Sequence, residues 1–248
     1  MAEIKNILDF LNKKFPFETA CDFDNVGLLI GDKNANVSKI TVALDCDTDT
    51  VDFAVDNGCE LIVTHHPVIF DPIKSITADT VYHKAVKNRI SVISCHTNLD
   101  IANGGVTETL CKVLGFKSIK KYKTESGFLL RSAKTDICDA KMLAERMKAA
   151  VDFGVRYADA GKPIQNVLVC SGSGGEFLSD AISGGFDALV TADVKHNVFV
   201  SAVNNGISVF DLGHYASENV IVSPLCEQLK KQFGINVIPF NSKKLKYI

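Results

Sequence analysis

The stretch LIVTHHPVIF (61–70) joins an apolar run to two adjacent histidines and then to a proline. Its first residues are typical of a strand buried on both faces, because aliphatic residues follow one another without polar alternation. The histidines therefore stand where the strand ends, and the proline interrupts strand pairing beyond them. This stretch predicts a parallel-sheet strand that carries two imidazoles at its carboxyl end.

Seven further apolar runs with strand character occur along the chain, and helical patterns lie between most of them. They are KITVALD (39–45), RISVISC (89–95), FLLRSA (128–133), NVLVCSG (166–172), ALVTAD (188–193), ISVFDL (207–212) and NVIPF (236–240). Aliphatic strands that alternate with helices are the sequence form of βαβ units. We therefore predict an α/β fold of two interlinked lobes, with mixed, largely parallel sheets flanked by helices.

Two polar, glycine-bearing stretches suggest where one lobe gives way to the other. They are KSIKKYKTESG (117–127) and DFGVRYADAGKP (152–163). We expect one lobe over 1–122 with 207–248, bearing the metal ligands, and a second over 123–206. The lysines of the first stretch are interpreted as a solvated surface, with phosphate steering as the alternative.

Composition and charge narrow the class of protein. The 248 residues are 46% hydrophobic and 23% charged, which is enough to form a substantial core. A net charge of -2 makes nucleic acid an unlikely partner, since non-specific binding needs clustered basic residues. The N-terminal pattern is that of an amphipathic helix, and no apolar run reaches the roughly 18 residues of a membrane span. A cytoplasmic location without membrane contact is therefore expected.

The eight cysteines are scattered without a CxxC pair, so we interpret them as reduced thiols. Cys46, Cys95 and Cys170 lie at or near the ends of apolar runs, where free cysteine commonly acts as a small core residue. A catalytic thiol is the alternative.

Three predicted strand ends carry residue types that bind metals, at the edge of an α/β sheet where functional residues gather. They are His65 and His66, then His96 and Asp100, and then His214 and Glu218. If His214 opens a helix, Glu218 lies one turn later on the same face. Imidazole combined with carboxylate suits Zn, Fe, Mn, Ni or Co.

The number of these ligands favours two ions over one. A four-coordinate catalytic ion uses fewer groups, whereas paired ions about 3.5 to 4 Å apart share a carboxylate and a water. Adjacent side chains on an extended backbone point in opposite directions. His65 and His66 are therefore expected to bind one ion each, unless the chain turns between them.

Several of these residues also have a simpler interpretation. Asp100 could cap the helix near NGGVTETL, and Glu218 could be an exposed acid in a first helical turn. His83 is interpreted as a helix-surface residue. The glycine-rich stretch VCSGSGGEF (169–177) could hold an anion or could simply allow close packing. Asp24, with its neighbour Asn25, could line a cavity or turn the chain.

Taken together, five segments of the chain resemble the signature segments of the Nif-three-like family, also called GTP cyclohydrolase 1 type 2 homologs. These segments are DNVGLLIGD (24–32), THHPVIF (64–70), HTNLDIANGGV (96–106), SGSGGEFLSDAISGGFDALVTADVKHN (171–197) and GHYASEN (213–219). They occur in order along nearly the whole chain. The resemblance implies a dinuclear metal site within a toroidal homohexamer, and no inserted extra domain of the kind that longer members carry.

The resemblance also implies roles for individual residues. The two ions would be bound by His65, His66, Asp100, His214 and Glu218, with Glu218 bridging them. His96 and His196 match positions where polar groups line the cavity, His96 as a neighbour of the ligands. Asp193 departs from the pattern, because many members have the glutamate of a TGE motif there, and its role stays open.

The resemblance implies a metal-dependent hydrolase acting on a nucleotide. In the activity for which the family is named, water attacks C8 of the guanine ring of GTP and formate is released; a phosphoester or another purine ring could use the same site. The alternative is a non-catalytic metal-binding scaffold or a regulatory protein-interaction hexamer. Five ligands for two ions leave coordination positions for water or substrate, which favours catalysis.

Overall fold

A computed structural model describes residues 1–242 and 244, which form thirteen strands and ten α-helices. The strands are β1 (Ala2–Glu3), β2 (Gly27–Ile30), β3 (Asn36–Val37), β4 (Lys39–Ala43), β5 (Leu61–Thr64), β6 (Ser91–Ser94), β7 (Lys117–Lys123), β8 (Leu129–Cys138), β9 (Arg156–Ala158), β10 (Ile164–Ser173), β11 (Ala188–Ala192), β12 (Ser208–Asp211) and β13 (Asn236–Phe240). The helices are α1 (Ile4–Lys14), α2 (Thr48–Asp56), α3 (Val81–Lys87), α4 (Thr97–Ile101), α5 (Val106–Val113), α6 (Ala140–Val151), α7 (Leu178–Ser183), α8 (His196–Asn204), α9 (His214–Glu218) and α10 (Val222–Phe233). All eight strands predicted from apolar runs are present.

The chain folds into two compact units, each with most of its contacts inside itself. The first unit comprises 1–102 with 221–242 and 244, and the second comprises 103–220.

The first unit contains a five-stranded sheet in the order β13-β4-β5-β6-β2. Four of these strands are parallel, and β2 runs antiparallel to β6 at one edge. The residues of β5 and β6 are all buried, which explains their nearly continuous aliphatic sequence. Because β4, β5 and β6 are parallel neighbours, the residues that follow them emerge at one edge of the sheet.

The second unit contains a six-stranded sheet in the order β7-β8-β10-β11-β12-β9. The three strands β10, β11 and β12 are parallel, and the other three are antiparallel to their neighbours. The carboxyl ends of the parallel strands again meet at one edge. Both sheets are mixed and carry helices, so the predicted α/β fold class is confirmed.

The division into units differs from the lobes 1–122 with 207–248 and 123–206 expected from composition. The two polar stretches chosen as boundaries contain β7 and β9, which form the two edges of the second sheet. Edge strands are commonly polar, and lysine on an edge discourages pairing with other chains. The polar composition therefore reflects sheet edges, and the lysines of β7 have a structural explanation.

Among residues 1–242 and 244, no helix combines the length and the apolar character needed to cross a bilayer.

Candidate metal ligands

Three histidines of the first unit lie together just beyond two parallel strands. His65 and His66 follow β5, and His96 follows β6. The ring centroids are 5.0 Å apart for His65 and His66, 5.2 Å for His65 and His96, and 5.6 Å for His66 and His96. Each ring offers one nitrogen as a possible metal ligand, and these three nitrogens all lie within 4.8 Å of one another. We call these three residues the imidazole cluster.

The adjacent histidines come close because β5 has already ended at Thr64. The Thr64 hydroxyl donates a hydrogen bond to the carbonyl oxygen of His66 at 2.8 Å. The alternation of side chains that an extended strand imposes therefore stops before the first imidazole.

Each ring of the imidazole cluster is held through Nδ1 by an oxygen that can only accept a hydrogen bond. The partners are the Cys95 carbonyl for His65 (2.9 Å), the Asp45 carboxylate for His66 (2.7 Å) and the Asp24 carboxylate for His96 (2.9 Å). Nδ1 must carry the proton in each bond, so in the neutral ring the lone pair is on Nε2. This is the arrangement that orients a histidine for metal binding.

Asp24 is the most strongly held of these acceptors. Its carboxylate is fully buried and accepts hydrogen bonds from the amide and the hydroxyl of Thr97, at 3.0 and 2.5 Å. Burial by itself would raise the pKa of Asp24, but the hydrogen bonds from His96 and Thr97 lower it to about 2. Asp24 therefore stays ionised near neutral pH and anchors the ring of His96. The neighbouring Asn25 donates to the Ile69 carbonyl at 2.7 Å.

Asp100 also lies beside the imidazole cluster. It is buried within α4, and its Oδ1 is 3.7 Å from Nε2 of His65. The next helix, α5, has Gly105 at its N-cap, so Asp100 does not cap that helix.

In the second unit, an imidazole and a carboxylate lie on one helix. His214 and Glu218 are the first and last residues of α9, and His214 Nε2 is 3.0 Å from Glu218 Oε2. Glu218 is only 3% exposed, so it is not a solvated first-turn acid. His214 Nδ1 donates to Asp193 Oδ2 at 2.7 Å, which repeats the arrangement of the imidazole cluster.

The glycine-rich turn at the end of β10 lies against this helix. A Cβ on Gly172 would be 2.1 Å from Glu218 Oε1, and the residue has a left-handed φ of 63°. The Gly172 amide donates to the Ser217 hydroxyl at 3.0 Å. A Cβ on Gly174 would collide with Thr191 and Cys170. Gly172 therefore allows α9 to pack closely against the end of β10, and Gly174 allows the turn to lie close to β10 and β11. The Gly172 amide is already used within the protein.

The remaining candidate histidines, His83 and His196, belong to none of the possible ligand groups found among residues 1–242 and 244. His83 is a half-buried residue of α3, and His196 is exposed at the start of α8.

All eight cysteines are free thiols; Cys95 and Cys170 are buried as expected, whereas Cys46 is half-buried. Burial raises the pKa of both Cys46 and Cys95 to about 12, so neither is a thiolate near neutral pH.

Sequence reasoning missed one functional partner entirely. The sequence identifies Asp45 only as the last residue of a predicted strand, KITVALD. Its position at a strand's carboxyl end, the same signal that selected the histidines, could have identified it.

The model of the Duf34/NIF3 (NGG1p interacting factor 3) family matches residues 2–245. The chain belongs to this family. A relative from Clostridium acetobutylicum, named GTP cyclohydrolase 1 type 2 homolog, is 34% identical over 94% of this chain and 93% of its own length. A relative of the same name from Clostridium perfringens is 31% identical over 98% of this chain and 97% of its own length.

Solved structures agree with the assignment to the Duf34/NIF3 family. The crystal structure of Staphylococcus aureus protein SA1388 superposes with a TM-score of 0.91 at 26% identity, covering 100% of this chain and 99% of that one. The Bacillus cereus protein related to NIF3 has the same fold, with a TM-score of 0.89 at 20% identity, covering 100% of this chain and 99% of that one. The recognition made from five sequence segments is confirmed.

The donors in each unit suit a transition metal. Nitrogen from oriented imidazoles and oxygen from carboxylates form the ligand set preferred by Zn, Fe, Mn, Ni and Co. The imidazole cluster is close enough for its nitrogens to share an ion. The residues present therefore fit a bound metal.

Proposed function

We propose that this Duf34/NIF3 protein is a metal-dependent hydrolase that holds two divalent transition-metal ions. By family resemblance, the ligands would be His65, His66, Asp100, His214 and Glu218. One observation carries the proposal: the Nδ1 atom of every one of these histidines is bonded to an oxygen acceptor. Histidines that bind a metal almost always donate their other ring nitrogen to an oxygen acceptor in this way.

The chain's own residues would bind and orient the ions and the reactants. When bound, the ions would lower the pKa of a water toward neutral and polarise the bond under attack. Glu218, nearly fully buried, is suited to bridge the ions because its carboxylate has two oxygens to share. Asp24 and Asp45 would keep the rings of His96 and His66 in place.

We propose a purine nucleotide as the substrate class, with GTP as the first compound to test. Support comes from the name of the relatives, GTP cyclohydrolase 1 type 2 homolog. The reaction would be two hydrolyses at C8 of the guanine ring: one water cleaves the C8–N9 bond and opens the five-membered ring, and a second water cleaves the C8–N7 bond and releases formate.

The test compares metal content and turnover in matched variants. The purified wild type should hold about two transition-metal ions per chain and release formate from GTP until a chelator is added. Glu218→Gln keeps the size of the side chain but removes the charge that a bridging ligand needs, so it should lose metal and turnover. Glu227→Gln, an exposed change on α10, should lose neither.

Three results would count against the proposal. A wild-type protein that holds no metal and takes up none would end it, and so would unchanged turnover in Glu218→Gln. Full metal loading without turnover of any purine nucleotide would instead support the non-catalytic scaffold.

We also propose a toroidal homohexamer, supported by family resemblance alone. Light scattering coupled to size-exclusion chromatography should give six times the mass of one chain; a monomer would refute it. The cytoplasmic location expected from the sequence stays a prediction.

A further inference from the structure

We propose that Asp193 is a positioning residue, which orients the imidazole of His214 so that Nε2 faces the metal. The metal part of this inference rests on the proposed function. The orientation itself can be tested without any metal.

The ring of His214 is contacted at both nitrogens by acidic side chains of the second unit. Nδ1 is 2.7 Å from Asp193 Oδ2, and Nε2 is 3.0 Å from Glu218 Oε2. Both carboxylates only accept while ionised, so they compete for the proton of a neutral ring, and the shorter contact, to Asp193, favours Nδ1. Without Asp193, Glu218 remains as an acceptor at Nε2, and the proton is expected to move to Nε2.

The backbone of Asp193 indicates that its position is imposed by the surrounding structure. Its φ is 52°, in the left-handed region that residues with a Cβ rarely adopt. Such a conformation persists only where neighbouring contacts require it, and it is commonest at functional sites. Those contacts are formed by the next residue: the Val194 amide donates to Asp211 Oδ2 at 3.0 Å, and its carbonyl accepts from Arg156 at 3.2 Å.

Asp211 is bonded to the backbone beside both Asp193 and His214. It is 3% exposed, and while Oδ2 accepts from Val194, Oδ1 accepts from the Gly213 amide at 2.9 Å. One buried carboxylate thus holds the residue after Asp193 and the residue before His214. Arg156 forms an ion pair with Asp211 and so completes the support.

These hydrogen bonds fix the backbone beside Asp193, which distinguishes its contact with His214 from an incidental surface ion pair. The two side chains are 52% and 36% exposed, and exposed pairs by themselves contribute little to stability. The consequence of the contact is therefore the orientation and tautomer of the ring. Outer carboxylates of this kind typically change metal affinity by about 10- to 100-fold when they are removed.

The first measurement is the tautomer of His214 in metal-free protein, read by NMR after labelling histidine with ¹⁵N. The wild type should show the Nδ1–H form, and Asp193→Ala should lose it. Asp193→Asn keeps an accepting oxygen and should retain the form. The control is Asp152→Ala, because Asp152 has a similar left-handed φ of 48° at the end of α6. It should leave His214 unchanged.

The second measurement is zinc affinity, by competition with a chromogenic chelator. Asp193→Ala should bind zinc about 10- to 100-fold more weakly, and Asp193→Asn should recover most of that loss. Asp193→Gly relieves the left-handed backbone, so its melting temperature should not fall although its zinc affinity does. A purely structural residue would lower both together.

The inference is overturned if Asp193→Ala keeps the Nδ1–H tautomer, or if its zinc affinity matches that of the Asp152→Ala control. If the wild type binds no zinc, the proposed function fails, and the tautomer measurement still decides whether Asp193 orients the ring.

Discussion

Replacing Gly172 by alanine should displace the carboxylate of Glu218. The added Cβ would stand 2.1 Å from Glu218 Oε1, 3.2 Å from the carboxyl carbon and 3.5 Å from Cε1 of His214. The carboxylate oxygen has to move by about 1 Å or more before the contact reaches an ordinary van der Waals distance. Because Glu218 is 3% exposed, it cannot simply swing into solvent.

Two costs contribute to the expected loss of stability. Alanine in a left-handed conformation costs about 1 kcal/mol relative to glycine. Disturbing a buried, hydrogen-bonded polar group adds about 1 to 3 kcal/mol. We therefore expect Gly172→Ala to lower the free energy of unfolding by about 2 to 4 kcal/mol, and zinc affinity to fall with it under the proposed function.

Gly185 offers a matched control in the same unit. Its φ of 66° is close to the 63° of Gly172, but a Cβ there would meet nothing within 4 Å. Gly185→Ala should therefore show only the backbone cost. Urea unfolding of metal-free protein measures both variants, and the excess loss in Gly172→Ala reports the displacement of Glu218. Equal destabilisation, with zinc affinity unchanged in both, would refute the reasoning.

Three further substitutions or labelling experiments test other parts of the structure. Asp24 has a folded pKa of about 2, below its unfolded value, so its contribution of about 2 kcal/mol is present above pH 4 and lost as the pH falls toward 2. Asp24→Asn should remove that part of the acid dependence in urea titrations at several pH values; an unchanged profile contradicts the bond to His96. Asp47 caps α2 by accepting from the Thr50 amide at 2.8 Å, so Asp47→Ala should cost about 1 kcal/mol in urea unfolding. A loss no greater than in the exposed control Thr48→Ala would show that the cap is not formed. Burial raises the pKa of the Cys95 thiol to about 12, so iodoacetamide at pH 8 should label it only when the chain opens, as peptide mass spectrometry can follow. Labelling at the rate of a solvent-exposed thiol would contradict its burial.

The strands and most candidate ligands could be predicted because they depend on local properties of the chain. Continuous aliphatic runs such as 61–64 produce buried parallel strands, and the residues that follow such strands lie at a sheet edge wherever the sheet places them. The strands without a continuous aliphatic run could not be recognised in this way. In β7 and β9, polar residues at exposed edges removed the apolar signal, and the same polarity suggested lobe boundaries that differ from those of the two units.

The amino-acid sequence by itself determined the α/β class, the family and which imidazoles and carboxylates are available to a metal. Only the tertiary structure decided which acceptor holds each ring: Asp24 is 72 positions from His96, Asp45 is 21 from His66, and Asp193 is 21 from His214. It likewise decided that Gly172 must lack a side chain, because Glu218 lies against it. The physical reason is the distance along the chain over which each property acts. Periodicity and composition report the conformation and burial of one segment, whereas a hydrogen bond between distant segments depends on strand order and register.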